Sequence, residues 1–471
     1  MSHQDPTGHT GSAFHHQDLR LALDWLLADA DFAAVRFRGT CTWSPRVLTA
    51  VALLWAWSGE AALTERFDAA RRVAIHAFGL GESTARTYQA FLKMLRAWTA
   101  TLAVVLVAAL RRRMQADLAG RSLVCGYAVF GVDGSRLELP RTASNEARFA
   151  PKPKPKSKSR SKSKSKHRRA AADAARAKKA NSPQLWLTTM WHVGTGLPWD
   201  WRLGPSDSSE RDHLAEMIAA LPAAALVTAD AGFVGYAYWK ALLDSGRHLL
   251  VRVGANVRLL RGLGYARERD GLVALWPDRA AARRQPPLVL RLVVAQGGRH
   301  PVYLVTSVLE EGALAGEQVL AIYRRRWGVE LFFRHFKQTF GRRKLRSHRG
   351  EHAEVEATWS LLGLWALGLH AQAELASDGV PAARVSVAGL LRAYRASLRE
   401  YRSRPGPGES LRERLGGAVI DAYKRSKKAS RNYPRKKRGH AIGAPEIRPA
   451  TALEIALAQE IKDAQPSRLT A

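Results

Sequence analysis

Between Leu118 and Tyr127 the apolar pattern of this chain changes period, and that change limits the folds open to it. Before it, "LRLALDWLLADADFAAV" and "SPRVLTAVALLWAW" carry apolar residues at three-and-four spacing, so the chain from about Gln17 to Leu118 reads as helical. After it come short β-rich runs. "YAVFGVD" ends on Asp133 and is followed by Gly134, and "RLELP" alternates like a neighbouring strand. "QLWLTTMWHV", the turn "GTG" and "LPWDWRLG" read as a hairpin. "SSERDHLAEMIAAL" opens with Ser and has acids in its first turn, as helix starts do. "ALVTAD" is a buried-type strand ending on Asp230, and the helix "YAYWKALLDSG" and the strand "HLLVRVG" follow it. The class is therefore α/β, a mixed sheet with helices and with carboxylates at strand ends.

This pattern divides the chain into zones. Residues 1–120 form a helical N-terminal domain, in which Ser83 can cap the helix "TARTYQAFLKMLRAW" after the turn "GLGE". A Gly-containing turn between helices suits a DNA-binding helix-turn-helix or an ordinary bundle, and both stay open. Residues 121–255 hold the first part of the α/β core. Residues 256–310, with "GLVALW", "PLVLRLVVA" and "PVYLVTSV", read as a β-strand insertion. Helix returns at about Ala315 and runs past Lys337, so residues 311–375 form the second part of the core. Residues 376–471 are a C-terminal helical region with a basic tail.

Charge narrows the partners. Of the net charge of +33, residues 151–179 supply +12 and residues 424–438 supply +9, which leaves +12 for the rest. A basic body with basic extensions points to a polyanion, most often nucleic acid. The Lys/Ser-rich segment within residues 151–180 has no apolar residues at its start and repels itself, so it is expected as a disordered loop touching phosphates non-specifically. Cys41 and Cys125 make neither a disulfide framework nor a zinc motif, which suits a reducing cytosol. The N-terminus has no apolar signal region, and "LAVVLVAAL" at 102–110 is too short to span a bilayer and reads as a buried helix. No Gly-rich phosphate loop, nucleophile elbow or paired Cys/His spacing occurs, which removes the common enzyme classes.

The segment "YRRRWGVELFFRHFK" carries the chemistry. At roughly 100° per residue, Arg326, Glu330 and Lys337 fall within an arc of roughly 60° that includes Tyr323. One face then presents a phenol, a guanidinium, a carboxylate and an ammonium, while Leu331 and Phe332 point elsewhere. Gly328 costs about 1 kcal/mol in a helix interior, which a close approach to a strand would justify. Asp133 and Asp230 at strand ends, with Glu330 on a helix packed at the same sheet edge, would make a three-carboxylate cluster. Such a cluster repels itself and suits Mg²⁺, and two such ions can drive an in-line displacement at phosphorus.

Tyr323, Arg326, Glu330 and Lys337 fit Y-(2)-R-(3)-E-(6)-K without departure. That signature, with "VDGSRLELP" and "TADAGFVGY" around the two aspartates, resembles the insertion-sequence-four family of bacterial DDE transposases over about residues 125–375. The resemblance implies a ribonuclease H-like core interrupted by the β insertion, with Asp133, Asp230 and Glu330 binding catalytic Mg²⁺, for which Mn²⁺ substitutes. It implies that Arg326 and Lys337 grip phosphates near the cleaved end and that Tyr323 hydrogen-bonds to one. Family members often use a hairpin intermediate with a flipped base stacked on a Trp of the β insertion, which here means Trp276; a core role for Trp276 stays open. The implied partner is double-stranded DNA, both transposon-end inverted repeats and target, with a homodimer across paired ends. The expected location is the cytoplasm at the nucleoid, with no membrane. The alternatives are a catalytically silent DNA-binding or regulatory protein of transposase descent and a stand-alone nuclease.

Overall fold

The computed structural model describes residues 18–39, 41–83, 86–151, 182–264, 271–296, 300–401, 409–420 and 443–463. The Lys/Ser-rich loop and the basic tail lie outside these residues. The helices α1 (Asp18–Leu26), α2 (Asp29–Phe32), α3 (Pro45–Trp57), α4 (Leu63–Phe78) and α5 (Tyr88–Asp117) open the chain. Ser44 caps α3 by accepting from the Val47 N–H, with Pro45 at the first helical position, where its missing N–H costs nothing. α4 stops at Gly79, whose φ of +62° is open to glycine without strain. The cap of α5 is Thr87, which accepts from the Ala90 N–H, and not Ser83. Ser83 is displaced because the turn runs further than "GLGE". The apolar run in α5 is buried on one face only: Leu102, Leu106 and Leu110 are fully covered while Val104 is 71% exposed. By length and composition α5 alone, among the described residues, is long and apolar enough to cross a membrane.

A ten-stranded sheet follows, in the order β10-β6-β7-β8-β9-β5-β4-β1-β2-β3. β1 (Val129–Glu138) runs from within "YAVFGVD" to within "RLELP", so Asp133 and Gly134 lie inside one strand rather than at its end. The expected strand end at Asp133 is not there, because antiparallel pairing to β2 continues through Gly134↔Thr188 to Glu138↔Gln184. After α6 (Ala143–Phe149), β2 (Gln184–His192) and β3 (Leu197–Gly204) form the expected hairpin, with an irregularity between Met190 and Trp191. Ser209 caps α7 (Glu210–Met217) by accepting from the Asp212 N–H. β4 (Leu226–Ala229), α8 (Tyr236–Asp244) and β5 (His248–Val253) complete the central part, with β4 parallel to both β1 and β5.

The strands of the third zone do not stand apart. β6 (Arg258–Arg261), β7 (Leu272–Leu275), the short α9 (Asp278–Ala282), β8 (Leu288–Gln296) and β9 (Pro301–Thr306) extend the same sheet, because β9 pairs antiparallel with β5. A strand edge left open by β5 is an association hazard, and β9 covers it.

The segment read as one helix is broken into three pieces. α10 (Gly316–Arg325) gives way to α11 (Trp327–Arg334) at Arg326, whose N–H lies 3.2 Å from the carbonyls of both Ile322 and Tyr323. A π-turn then covers His335–Thr339, closed by the Phe340 N–H on the His335 carbonyl at 2.8 Å. Next come α12 (Gly350–Ala376), buried nearly all round, α13 (Val387–Arg399) and α14 (Leu411–Gly416). The fully buried Arg342 donates to Ala56 O at 2.8 Å and to Ser360 Oγ at 2.7 Å, tying α3 to α12. The N-terminal helices, the central sheet and α12 share one hydrophobic core. The C-terminal β10 (Glu446–Pro449) pairs parallel with β6, and α15 (Ala452–Asp463) closes a second, smaller core over Leu260, Ala274 and Trp276.

Candidate active site

The register of the parallel pair β1–β4 places the first two carboxylates. Val129 pairs with Leu226 and Gly131 with Thr228, a constant offset of 97, which puts Asp133 level with Asp230. β4 ends at Ala229, so both acids stand just past the last β1–β4 pair, while Asp133 stays paired with Thr189 of β2. Asp230 opens a short 3₁₀ turn (Ala231–Phe233) and accepts from the Gly232 N–H at 2.8 Å. Asp133 accepts from the Gly134 N–H at 2.8 Å. Burial pushes the Asp133 carboxyl up to about 6; the fields of Asp230 and Glu330 push the same way, against the Gly134 N–H and Arg326.

α11 crosses close over this sheet edge. A Cβ at Gly328 would overlap the Trp191 ring of β2, so the glycine is required by contact, as its cost in a helix suggested. Arg326, 7% exposed, donates from Nη2 to Glu330 Oε1 at 3.0 Å. Its guanidinium lies over the Tyr323 ring, 5.5 Å from the centroid. Burial by itself would lower the Arg326 pKa, but Tyr323, Asp230 and Glu330 outweigh it and raise the value. Two of its nitrogens, Nε and Nη1, are buried and have no partner among the described residues. Lys337, carried on the π-turn, donates to Ser135 Oγ at 2.6 Å, two residues beyond Asp133. Burial lowers its pKa, helped by Arg343 and opposed by Glu138 and Asp133.

A family model described as "Transposase DDE domain" matches residues 126–365, just over half of the chain. The chain belongs to this DDE transposase family. The transposase InsG for insertion sequence element IS4 of Escherichia coli (strain K12) is 24% identical over 248 residues. The match covers 50% of each, so the chain spans about half the length of the curated relative it matches. A piggyBac transposase, seen by cryo-EM in a synaptic complex with hairpin DNA, aligns over 86% of both chains at 11% identity and a TM-score of 0.40.

The DDE domain so matched begins just before β1 and ends within α12, and it contains every site residue expected from the sequence. Asp133 and Asp230 come together, and Glu330 lies within the field of Asp133 but is turned to Arg326. Among the described residues no three metal-ligating side chains are already gathered about one point. Like charges without a cation repel, and Glu330 has a cationic partner of its own. The donor set, carboxylate oxygens only, fits a hard divalent cation such as Mg²⁺ or Mn²⁺.

Trp276 is elsewhere. It is 4% exposed in the small second core, and its Nε1 donates to Gln285 O at 2.8 Å. No face of that ring is open to a base, so the core reading of Trp276 holds. The indole exposed at the site is Trp327, 57% accessible and adjacent to Arg326. Sequence reasoning did not single it out, because it considered only a Trp of the β insertion. It also missed Glu210, the first residue of α7, whose carboxylate lies against Gly134 of β1. Spacing offers no signal for that contact, since an acid in a first helical turn already has a local explanation.

Proposed function

We propose that this protein is a DNA transposase that cleaves phosphodiester bonds at transposon ends and transfers the freed strand to target DNA. The observation that supports it most is the level placement of Asp133 and Asp230 beside the α11 helix that carries Glu330, inside the family-matched segment. The central strands, antiparallel β3-β2-β1 followed by parallel β4 and β5, fit a ribonuclease H-like core.

In this reading Asp133, Asp230 and Glu330 hold Mg²⁺, or Mn²⁺ in its place. Divalent cations bound there supply activation of the attacking water or 3′-hydroxyl and stabilisation of the leaving oxygen. Arg326 presents its two unpartnered nitrogens to a phosphate and releases Glu330 toward the aspartates as it does so. Lys337, oriented by Ser135, contacts a second phosphate, and the Tyr323 hydroxyl donates to a phosphate oxygen. Trp327 offers a face to an unpaired base: unstacking costs a few kcal/mol and an aromatic platform returns about 1–3 kcal/mol. The exposed Arg324, Arg325, Arg334, Arg343 and Arg346 lie along the same stretch of chain and suit the phosphates of duplex DNA with inverted-repeat ends. The N-terminal helices contribute DNA binding, the working unit is a homodimer across paired ends, and the site of action is the cytoplasmic nucleoid.

The test is cleavage of DNA carrying the flanking inverted repeats, with and without Mg²⁺. Metal-dependent nicking that disappears in Asp230→Ala supports the reading. Tight binding without cleavage in any metal would show the regulatory, catalytically silent protein instead.

A further inference from the structure

We infer, on the DDE reading above, that Thr189 of β2 is a positioning residue of the cation site, holding the Asp133 carboxylate through its hydroxyl. It touches neither cation nor DNA and acts through Asp133 alone.

Strand pairing gives the geometry. Asp133 pairs with Thr189 in the antiparallel β1–β2 ladder, and the β1–β4 register sets Asp230 level with Asp133 on its other side. Paired residues share a face of the sheet, so Thr189, Asp133 and Asp230 form one row across three strands. Two residues away, Gly131 pairs with Trp191, whose ring lies against Gly328 of α11. The row therefore lies on the face that α11 covers. Thr188 points the other way, its hydroxyl 2.9 Å from His213 Nδ1 of α7.

The two members of the pair have complementary openings. Thr189 is fully buried, and its Oγ1 has no partner among the described residues. Asp133 accepts from the Gly134 N–H with Oδ1, and its Oδ2 accepts nothing among the described residues. Directly opposed residues hold their Cβ atoms roughly 4.5–5.5 Å apart, within reach of a hydroxyl–carboxylate bond. A buried hydroxyl without a bond has left water for nothing in return, and valine has the same shape without that cost. Threonine gains over valine at this position once the bond to Asp133 forms. Held by the Gly134 N–H at one oxygen and by Thr189 at the other, the carboxylate keeps one orientation and still has lone pairs for a cation. Thr228 of β4 supplies a matched contrast. Its hydroxyl is as deeply buried and as unpartnered, but it pairs with Gly131 and not with an acid.

The experiment measures Mn²⁺ binding to the full-length protein by electron paramagnetic resonance, with melting temperature in EDTA as a second readout. Wild type, Thr189→Val, Thr189→Ser, Thr228→Val and Asp230→Asn are compared. Thr189→Val is expected to weaken Mn²⁺ binding about tenfold or more. In EDTA it should melt at or above the wild-type temperature, because an unbonded hydroxyl is removed. Thr189→Ser keeps the hydroxyl and should keep the wild-type affinity, at a lower melting temperature because a buried methyl is lost. Thr228→Val should bind as wild type does. Wild-type affinity in Thr189→Val alongside lost affinity in Asp230→Asn overturns the role of Thr189 and leaves the DDE reading standing. Equal weakening in Thr228→Val, or no rescue by Thr189→Ser, shows a packing effect and overturns it as well. No saturable binding in the wild type, or binding unchanged in Asp230→Asn, overturns both.

Discussion

Arg326 donates a 3.0 Å hydrogen bond from Nη2 to Glu330 while its buried Nε and Nη1 go without a partner among the described residues. In the proposed reading this guanidinium receives a phosphate at a place its own carboxylate partly occupies. Lysine keeps the charge and loses the fork. Arg326→Lys should therefore reduce single-turnover cleavage by about 10- to 100-fold, since hydrogen bonds between charged groups contribute about 1.5–3 kcal/mol. Its melting temperature should fall only modestly, because of the lost donors Nη2 alone was satisfied in the free protein and lysine keeps a charge opposite Glu330.

Gly328 and Trp191 are a matched pair. Gly328→Ala forces a methyl group into the indole ring, an overpacking that costs about 1–3 kcal/mol. The variant should melt lower and cleave less, because α11 lifts and carries Glu330 away from the aspartates. Combining it with Trp191→Leu should recover part of both losses. Additive losses in the double variant would refute the pairing.

Trp276 and Trp327 should separate stability from DNA binding. Trp276→Ala empties the small core and should cost about 3–5 kcal/mol, read in a chemical denaturation curve. Trp327→Ala should leave that curve in place and weaken binding to an end with an unpaired base by about 1–3 kcal/mol.

A buried histidine sets an acid limit on the helical core. His370, in contact with the Tyr394 hydroxyl at 2.7 Å, has its pKa lowered to about 4, by burial first and by Arg412 second. The unfolded chain titrates this group near 6.5, so the stability it lends is complete above about 6.5 and is lost as the pH falls toward 4. His370→Gln, which cannot charge, should reduce the slope of melting temperature against pH over that window, the remainder coming in part from the similarly buried His192. An unchanged slope would exclude His370 as the source.

The helices, the hairpin of β2 and β3, the starts of α3 and α7 and the spacing of Tyr323, Arg326, Glu330 and Lys337 were legible in the sequence. Each depends on residues within a turn or two of one another, and periodicity and capping report such local order directly. The two aspartates were legible as the ends of apolar runs, but their level placement is a matter of strand register. Only the folded chain decided that β1 continues through Gly134, because the pairing that holds it comes from β2, some fifty residues later. Tertiary structure likewise put β9 against β5, closed β10 and α15 over Trp276, and left Trp327 exposed. It broke the Glu helix at Arg326, where Gly328 must clear Trp191, and it set Glu210 over Gly134. These outcomes rest on close approaches between distant segments, whose partners no local pattern names.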